Sequence, residues 1–232
     1  MTETRGATPT IPQVALIGLF VTALATAQLT AAKILAFDLP FALPIAGPEL
    51  VLPGAALAYA LTFLASDCYA ELYGRRAAAV VVNVAFAMNF VVLLLVWSTI
   101  LAPASEASPV DPGEFAAVLG PAANVVIGSL LAYVVSQNWD VWLFHEIRDR
   151  TGPELLWLRN LASTATSQAI DTVLFVSVAF FLAPTLLGIE GALPLAAIPA
   201  LIVGQYLLKL AIAVLDTPVV YLVVGLVRSR AA

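Results

Sequence analysis

Apolar residues dominate this chain in long runs, and the polar positions between them are short and regularly placed. A helix rising 1.5 Å per residue needs about 20 mostly apolar residues to cross the roughly 30 Å hydrocarbon core of a bilayer. Five runs meet or approach that length: residues 14–32, 51–65 (a short one), 77–101, 118–135 and 161–182. A sixth, 195–227, is too long for one straight crossing and carries Asp216-Thr217-Pro218 within it. Proline lacks the N–H of the helical ladder and crowds the preceding turn, so a kink or break is expected at Pro218. The pattern predicts an all-α polytopic membrane protein: one domain over residues 1–232, six transmembrane helices, the sixth kinked or broken.

Composition agrees. The 232 residues are 62% hydrophobic and 11% charged, with a mean hydropathy of +1.00, whereas soluble domains carry about a quarter charged residues. Basic residues recur in alternate connections: Arg5, then Arg75 and Arg76, then Arg148, Arg150 and Arg159, then Arg228 and Arg230. The connections holding Glu106, Asp111 and Glu114, or Glu190, have no Lys or Arg. The excess of Lys and Arg on the cytoplasmic side of membrane proteins then puts both termini in the cytoplasm and the chain in the cytoplasmic membrane. Lys33-Ile34-Leu35 follows the first run where a cleavable leader would have small residues, so that run is expected to stay as a span. The segment 138–160 mixes Trp139, Trp142, Trp157 and three arginines, which predicts a separate helix at the headgroup boundary, turning at Thr151-Gly152-Pro153.

Soluble-type enzyme chemistry has little to work with. One cysteine, Cys68, and one histidine, His145, supply neither a disulfide, nor a zinc cluster, nor a Ser-His dyad. There is no glycine-rich phosphate loop and no basic face for nucleic acid. The chain is expected not to be an enzyme and to need no cofactor or metal. Its partners are a small molecule and the lipid bilayer, and a homo-oligomer is compatible with the sequence.

What remains is polar chemistry inside the spans. The pattern SQxxDxxLF occurs twice, from Ser136-Gln137 through Asp140 to Phe144 and from Ser167-Gln168 through Asp171 to Phe175. A charged side chain at mid-span costs about 2.5–3.5 kcal/mol on insertion scales, so such residues face the bundle interior or a cavity. Asp171 lies twelve residues beyond Arg159, about 18 Å along a helix and so near the midplane. Lys209 is deep in the sixth span and suits an acidic partner such as Asp171; Gln205 and Asp216 share its helix face. Asp67 and Glu71, four apart, precede Gly74-Arg75-Arg76 and suit a cytoplasmic gate or a brace answered by Arg159. Asp140 is expected near the cytoplasmic boundary, too shallow to face Asp171. Gln28 and Lys33 lie in the outer half of span one. A carboxylate and an amide on facing helices fit a flat heteroaromatic ligand, and equally a proton or sodium relay or a hydroxylated metabolite.

A family resemblance narrows this. Phe63-Leu64-Ala65-Ser66-Asp67-Cys68-Tyr69-Ala70-Glu71-Leu72-Tyr73-Gly74-Arg75 resembles the (F/L)xxDxxxExYG(R/K) signature of the queuosine precursor transporter family, also termed vitamin-uptake-transporter-like. Leu156-Trp157-Leu158-Arg159-Asn160, followed by Ser163-Thr164, Ser167-Gln168 and Asp171-Thr172, is similar to its LWxRN…ST…SQxxDT block. Lys209 with Asp216-Thr217-Pro218 and Tyr221 is similar to its K…DTPxxY end. The resemblance covers residues 14 to 227 and implies import of 7-deazaguanine bases, preQ0 or preQ1, for tRNA modification. It implies substrate-binding roles for Gln168, Asp171, Ser163, Lys209, Asp216 and Asn160. It assigns a gate or structural charge network to Asp67, Glu71 and Arg159, with Gln137 and Asp140 matching an earlier SQxxD. The alternative is the substrate-binding subunit of an ATPase-energised vitamin or nucleobase importer.

Overall fold

The computed structural model describes residues 8–151 and 155–231, without the side chains of residues 156, 157, 159, 160, 230 and 231. The first helix, α1 (Ile11–Thr30), is started by a capping box in which Thr10 and Gln13 satisfy each other's backbone N–H groups. Two antiparallel strands follow, β1 (Ile34–Leu43) and β2 (Gly47–Pro53), with Ile34 opposite Pro53 and Phe37 opposite Leu50. Then come α2 (Ala56–Tyr73) and α3 (Arg75–Leu101), joined at Gly74. Gly74 has φ +88°, open to glycine without strain, and this lets the chain reverse in a single residue. A short α4 (Pro112–Leu119), capped by Asp111, leads into the long α5 (Ala122–Thr151). The return helix α6 (Leu156–Ser177) passes through a π turn, Val178–Leu182, into α7 (Ala183–Leu187). A 3-10 turn, Leu195–Ala197, opens α8 (Ile198–Ala231).

Five stretches among the described residues are long and apolar enough to cross a membrane: Ile11–Thr30, Arg75–Leu101, Pro112–Thr151, Leu161–Leu187 and Leu195–Ser229. The more polar α2 runs between α1 and α3 and makes the sixth leg. Six legs bring the described ends of the chain to one end of the bundle, with the hairpin at the other.

Several boundaries differ from the sequence reading. Span two, expected at 51–65, begins at Ala56, because Val51 and Leu52 pair with β1 and Pro53-Gly54 ends the strand. It runs on through Asp67 and Glu71 to Tyr73, with the helix packed against α1 and α8. The separate headgroup helix over 138–160 is not formed: α5 is one 30-residue helix that continues to Thr151. Span five begins at Leu161, as expected, and ends later than 182, at Leu187. Pro218 does not break α8, which is continuous for 34 residues. The Thr217 hydroxyl donates to the Ala213 carbonyl in the preceding turn at 3.1 Å, and such side-chain bonds let a membrane helix tolerate proline.

Packing follows the rule that lipid gives no hydrophobic drive between helices, so small residues set the contacts. Ala27, Ala31, Ala65, Ala85, Ala132 and Ala179 are buried, while Leu94, Leu95, Val214, Leu215 and Leu222 point outward. Close approach is tightest where the hairpin meets α8. A Cβ at Gly204 would lie 1.9 Å from the Val51 carbonyl oxygen, so glycine there lets β2 dock against the helix. Likewise Gly128 admits Ala179, whose Cβ would be 2.8 Å from an added one.

Candidate functional site

The two SQxxD copies lie on neighbouring antiparallel helices, and they bond to each other crosswise. Ser136 on α5 donates to Asp171 Oδ1 on α6 at 3.3 Å. Ser167 on α6 donates to Asp140 Oδ1 on α5 at 3.2 Å. The first serine of each copy therefore serves the aspartate of the other, the two contacts lying one helical turn, about 6 Å, apart along the axis. A third bond, Trp139 Nε1 to Thr166 Oγ1 at 3.0 Å, closes the seam beside them. Asp140 lies in the same seam as Asp171 but one turn from it, bonded to Ser167 rather than facing Asp171, whereas Trp139, expected on a surface helix, is held by α6. The cause is the unbroken α5, which carries the first copy straight past α6 instead of out along the membrane surface.

Asp171 has its second oxygen on Lys209 Nζ of α8, and the lysine side chain is only 3% exposed. The ammonium group also lies 5.7 Å from the centroid of the Tyr59 ring on α2, a cation–π distance. The pair thus ties three elements together in the middle of the bundle. Breaking such a buried pair from one side leaves an uncompensated charge and costs about 3–5 kcal/mol.

Cavities open on either side of this pair. The outer one, towards the hairpin, is lined by Asp171 with Gln28, Tyr59, Ser129, Tyr133 and Gln205. Its aromatic wall is formed by Tyr59, Phe175 and the stacked rings of Phe86 and Tyr133, whose centroids are 4.8 Å apart. The inner one, towards the Glu71–Arg228 end of the bundle, is lined by Lys209 with Asp67, Thr164, Gln168 and Asp216. Asp171 thus faces one cavity and its partner Lys209 faces the other. The carboxyl groups of Asp67 and Asp216 come within hydrogen-bonding reach of one another, while Asp216 Oδ2 is buried without a partner.

The predicted residues separate accordingly. Asp171 and Lys209 are brought together as expected. Gln168 lines the inner cavity and Asp171 the outer one, so the two are not side by side in one cavity. Asp216 joins Asp67 there, and Gln205 parts from Lys209 and Asp216 to enter the outer cavity. Ser163 is buried in α6, away from the lining of either cavity. Glu71 is paired with Arg228 at 2.9 Å on the exposed end of the bundle, rather than with Asp67. Gln137 is exposed on α5. The side chains of Arg159 and Asn160 lie outside the described residues. Sequence reasoning missed Tyr59, Phe86 and Tyr133 as cavity walls, because aromatics within apolar runs read as packing. Gln28 and Gln205 did carry a signal, as amides inside spans, but nothing in one sequence joined them.

The family described as "Putative vitamin uptake transporter" matches residues 53–223, from the end of β2 into α8. A Bacillus subtilis (strain 168) protein named "Probable queuosine precursor transporter" is 33% identical over 165 residues, covering 70% of this chain and 67% of that protein. No solved structure matches the chain.

Proposed function

The chain belongs to the vitamin uptake transporter family, and on that premise we propose that it imports 7-deazaguanine bases, preQ0 and preQ1, across the cytoplasmic membrane. The observation that carries this reading is the outer cavity: aromatic walls, amide groups, and a floor made by the buried Asp171–Lys209 pair. Flat aromatic walls favour a planar ring, and a few placed polar groups orient it. The end of the bundle where the described residues begin and end carries Arg75, Arg76, Arg148 and Arg228, an excess of basic residues that supports reading it as the cytoplasmic end. A base entering from outside meets the outer cavity first.

The ion pair is the partition between the two cavities. With Asp171 held by Ser136 and Lys209, the inner cavity is separated from the outer one. A bound base competes for Asp171, loosens Lys209, and lets α8 shift against the α5–α6 seam so that the inner cavity receives the ligand. Asp67, Asp216 and Gln168 line the exit.

Complementation tests the reading. In cells unable to make the 7-deazaguanine precursor and lacking their own importer, expression of this chain with preQ0 or preQ1 in the medium restores queuosine in tRNA. Absence of rescue by either base, with the protein present in the membrane, overturns it.

A further inference from the structure

The outer cavity contains two carboxamides that the folded protein leaves unused. Gln28 on α1 is 4% exposed and Gln205 on α8 is 6% exposed. Both line the cavity, and the Oε1 of each is buried without a hydrogen-bond partner. A buried acceptor left unpaired destabilises the protein, and amides that tie membrane helices together do so by bonding across them. These two oxygens do not. They are on different helices and face the same space as Tyr59, Tyr133 and Asp171. Asp171, by contrast, is already engaged at both oxygens, by Ser136 and Lys209.

We propose that Gln28 and Gln205 are the specificity-determining residues of the outer cavity, each carboxamide oxygen accepting one N–H from a different edge of a planar heteroaromatic base. This rests on the reading of the chain as a 7-deazaguanine carrier and goes further by giving the base's N–H groups neutral amide acceptors beside the Asp171 carboxylate. Neutral acceptors suit a neutral ring, since they need no counter-charge once the ligand has left. Two acceptors on separate helices require a ligand with N–H donors on two edges, as a guanine-type ring has at its lactam and five-membered sides. A ring methylated at one of these nitrogens leaves one oxygen unpaired and adds a clash.

The test is competition against labelled preQ1 uptake by guanine, 1-methylguanine and 9-methylguanine, in the wild type, Gln28→Leu and Gln205→Leu. In the wild type each methylation weakens competition by about tenfold or more, because a site built to bond an N–H rejects the analogue lacking it. Each leucine variant raises KM for preQ1 and loses discrimination at one nitrogen while keeping it at the other, the two variants being complementary. Removing an orphaned acceptor also leaves the ligand-free protein at least as heat-stable as the wild type. A lower melting temperature in both variants, or a fall in rate with both methylation penalties intact, gives the glutamines a packing role and overturns the inference. Absence of preQ1 uptake in the wild type is a separate result that removes the transport reading itself. In that event, thermal-shift binding of guanine and its methyl analogues to the purified proteins decides the role of the two glutamines on the same criteria.

Discussion

On the hairpin side of the Asp171–Lys209 pair, the buried polar groups are neutral amides and hydroxyls framed by aromatic rings. On the other side the polar lining groups are the half-buried Asp216 and Gln168 with the exposed Asp67 and Thr164, and Phe63 is the aromatic among the lining residues. The two cavities share α2, α6 and α8, but α1 and α5, with Phe86 of α3, line the outer one alone, so the contrast comes from these added walls as well as from which turn of each shared helix faces inward. A carrier needs such a difference. The side that recognises a ring must match its edges and faces, whereas the side that releases it must not hold it as well. The ion pair is placed where the two chemistries meet.

Removing the pair's cation breaks the comparison most severely. Lys209→Met leaves Asp171 buried without its counter-charge, which costs about 3–5 kcal/mol of stability, and uptake is expected to be lost. A denaturation midpoint within error of the wild type would show that the lysine does not sustain the partition.

Next is the docking of the hairpin that closes the outer cavity. Gly204→Ala places a methyl group 1.9 Å from the Val51 carbonyl oxygen, so β2 must move off α8, and Pro53 at the cavity mouth moves with it. Uptake falls by about tenfold, the equivalent of 1.4 kcal/mol, with KM affected. Gly18, whose added Cβ meets nothing within 4 Å, is the control: Gly18→Ala leaves uptake unchanged.

The crosswise seam gives a sharper and smaller test. Ser136→Ala and Ser167→Ala each remove a hydrogen bond to a carboxylate, worth about 1.5–3 kcal/mol. Thermal unfolding of the two should shift by similar amounts if the copies of SQxxD are reciprocal partners. Uptake should suffer more in Ser136→Ala, because its aspartate lines the outer cavity. Equal transport defects would place both aspartates in one function.

The smallest effect is expected at the exposed end of the bundle. Glu71 and Arg228 are more than half exposed, and such pairs contribute about 0–1 kcal/mol. Arg228→Gln should leave uptake and melting temperature nearly unchanged; a large loss would make this pair the cytoplasmic gate.

The membrane class, the number of legs and the pairing of Asp171 with Lys209 were legible in the sequence, because charge in lipid is costly and hydrophobic length is fixed by the bilayer. The hairpin was not, since Ile34–Leu43 and Gly47–Pro53 carry an apolar pattern that a short span shares. The site was half legible. Asp171 and Lys209 stood out because each needs a partner, and the duplicated SQxxD pointed to the right helices. Its crosswise bonding depended on α5 staying straight past Trp139, where the mixture of aromatic and basic residues suggested a turn along the surface. Gln168 was placed beside Asp171 by helical spacing, but a step of three residues is also enough to pass from one cavity to the other. Tyr59 had no signal, because its role exists only where Lys209 from another helix lies over its ring.

The most direct measurement is uptake of labelled preQ1 into ATP-free liposomes by the wild type and by the doubly neutralised variant Asp171→Asn/Lys209→Met. Neutralising both members removes the charge imbalance, so the double variant is expected to fold and reconstitute, and to recover most of the stability lost in Lys209→Met alone. The account predicts flux by the wild type and none above empty liposomes by the folded double variant. Flux at the wild-type rate in the double variant would contradict it, because the partition between the two cavities would then not depend on the ion pair.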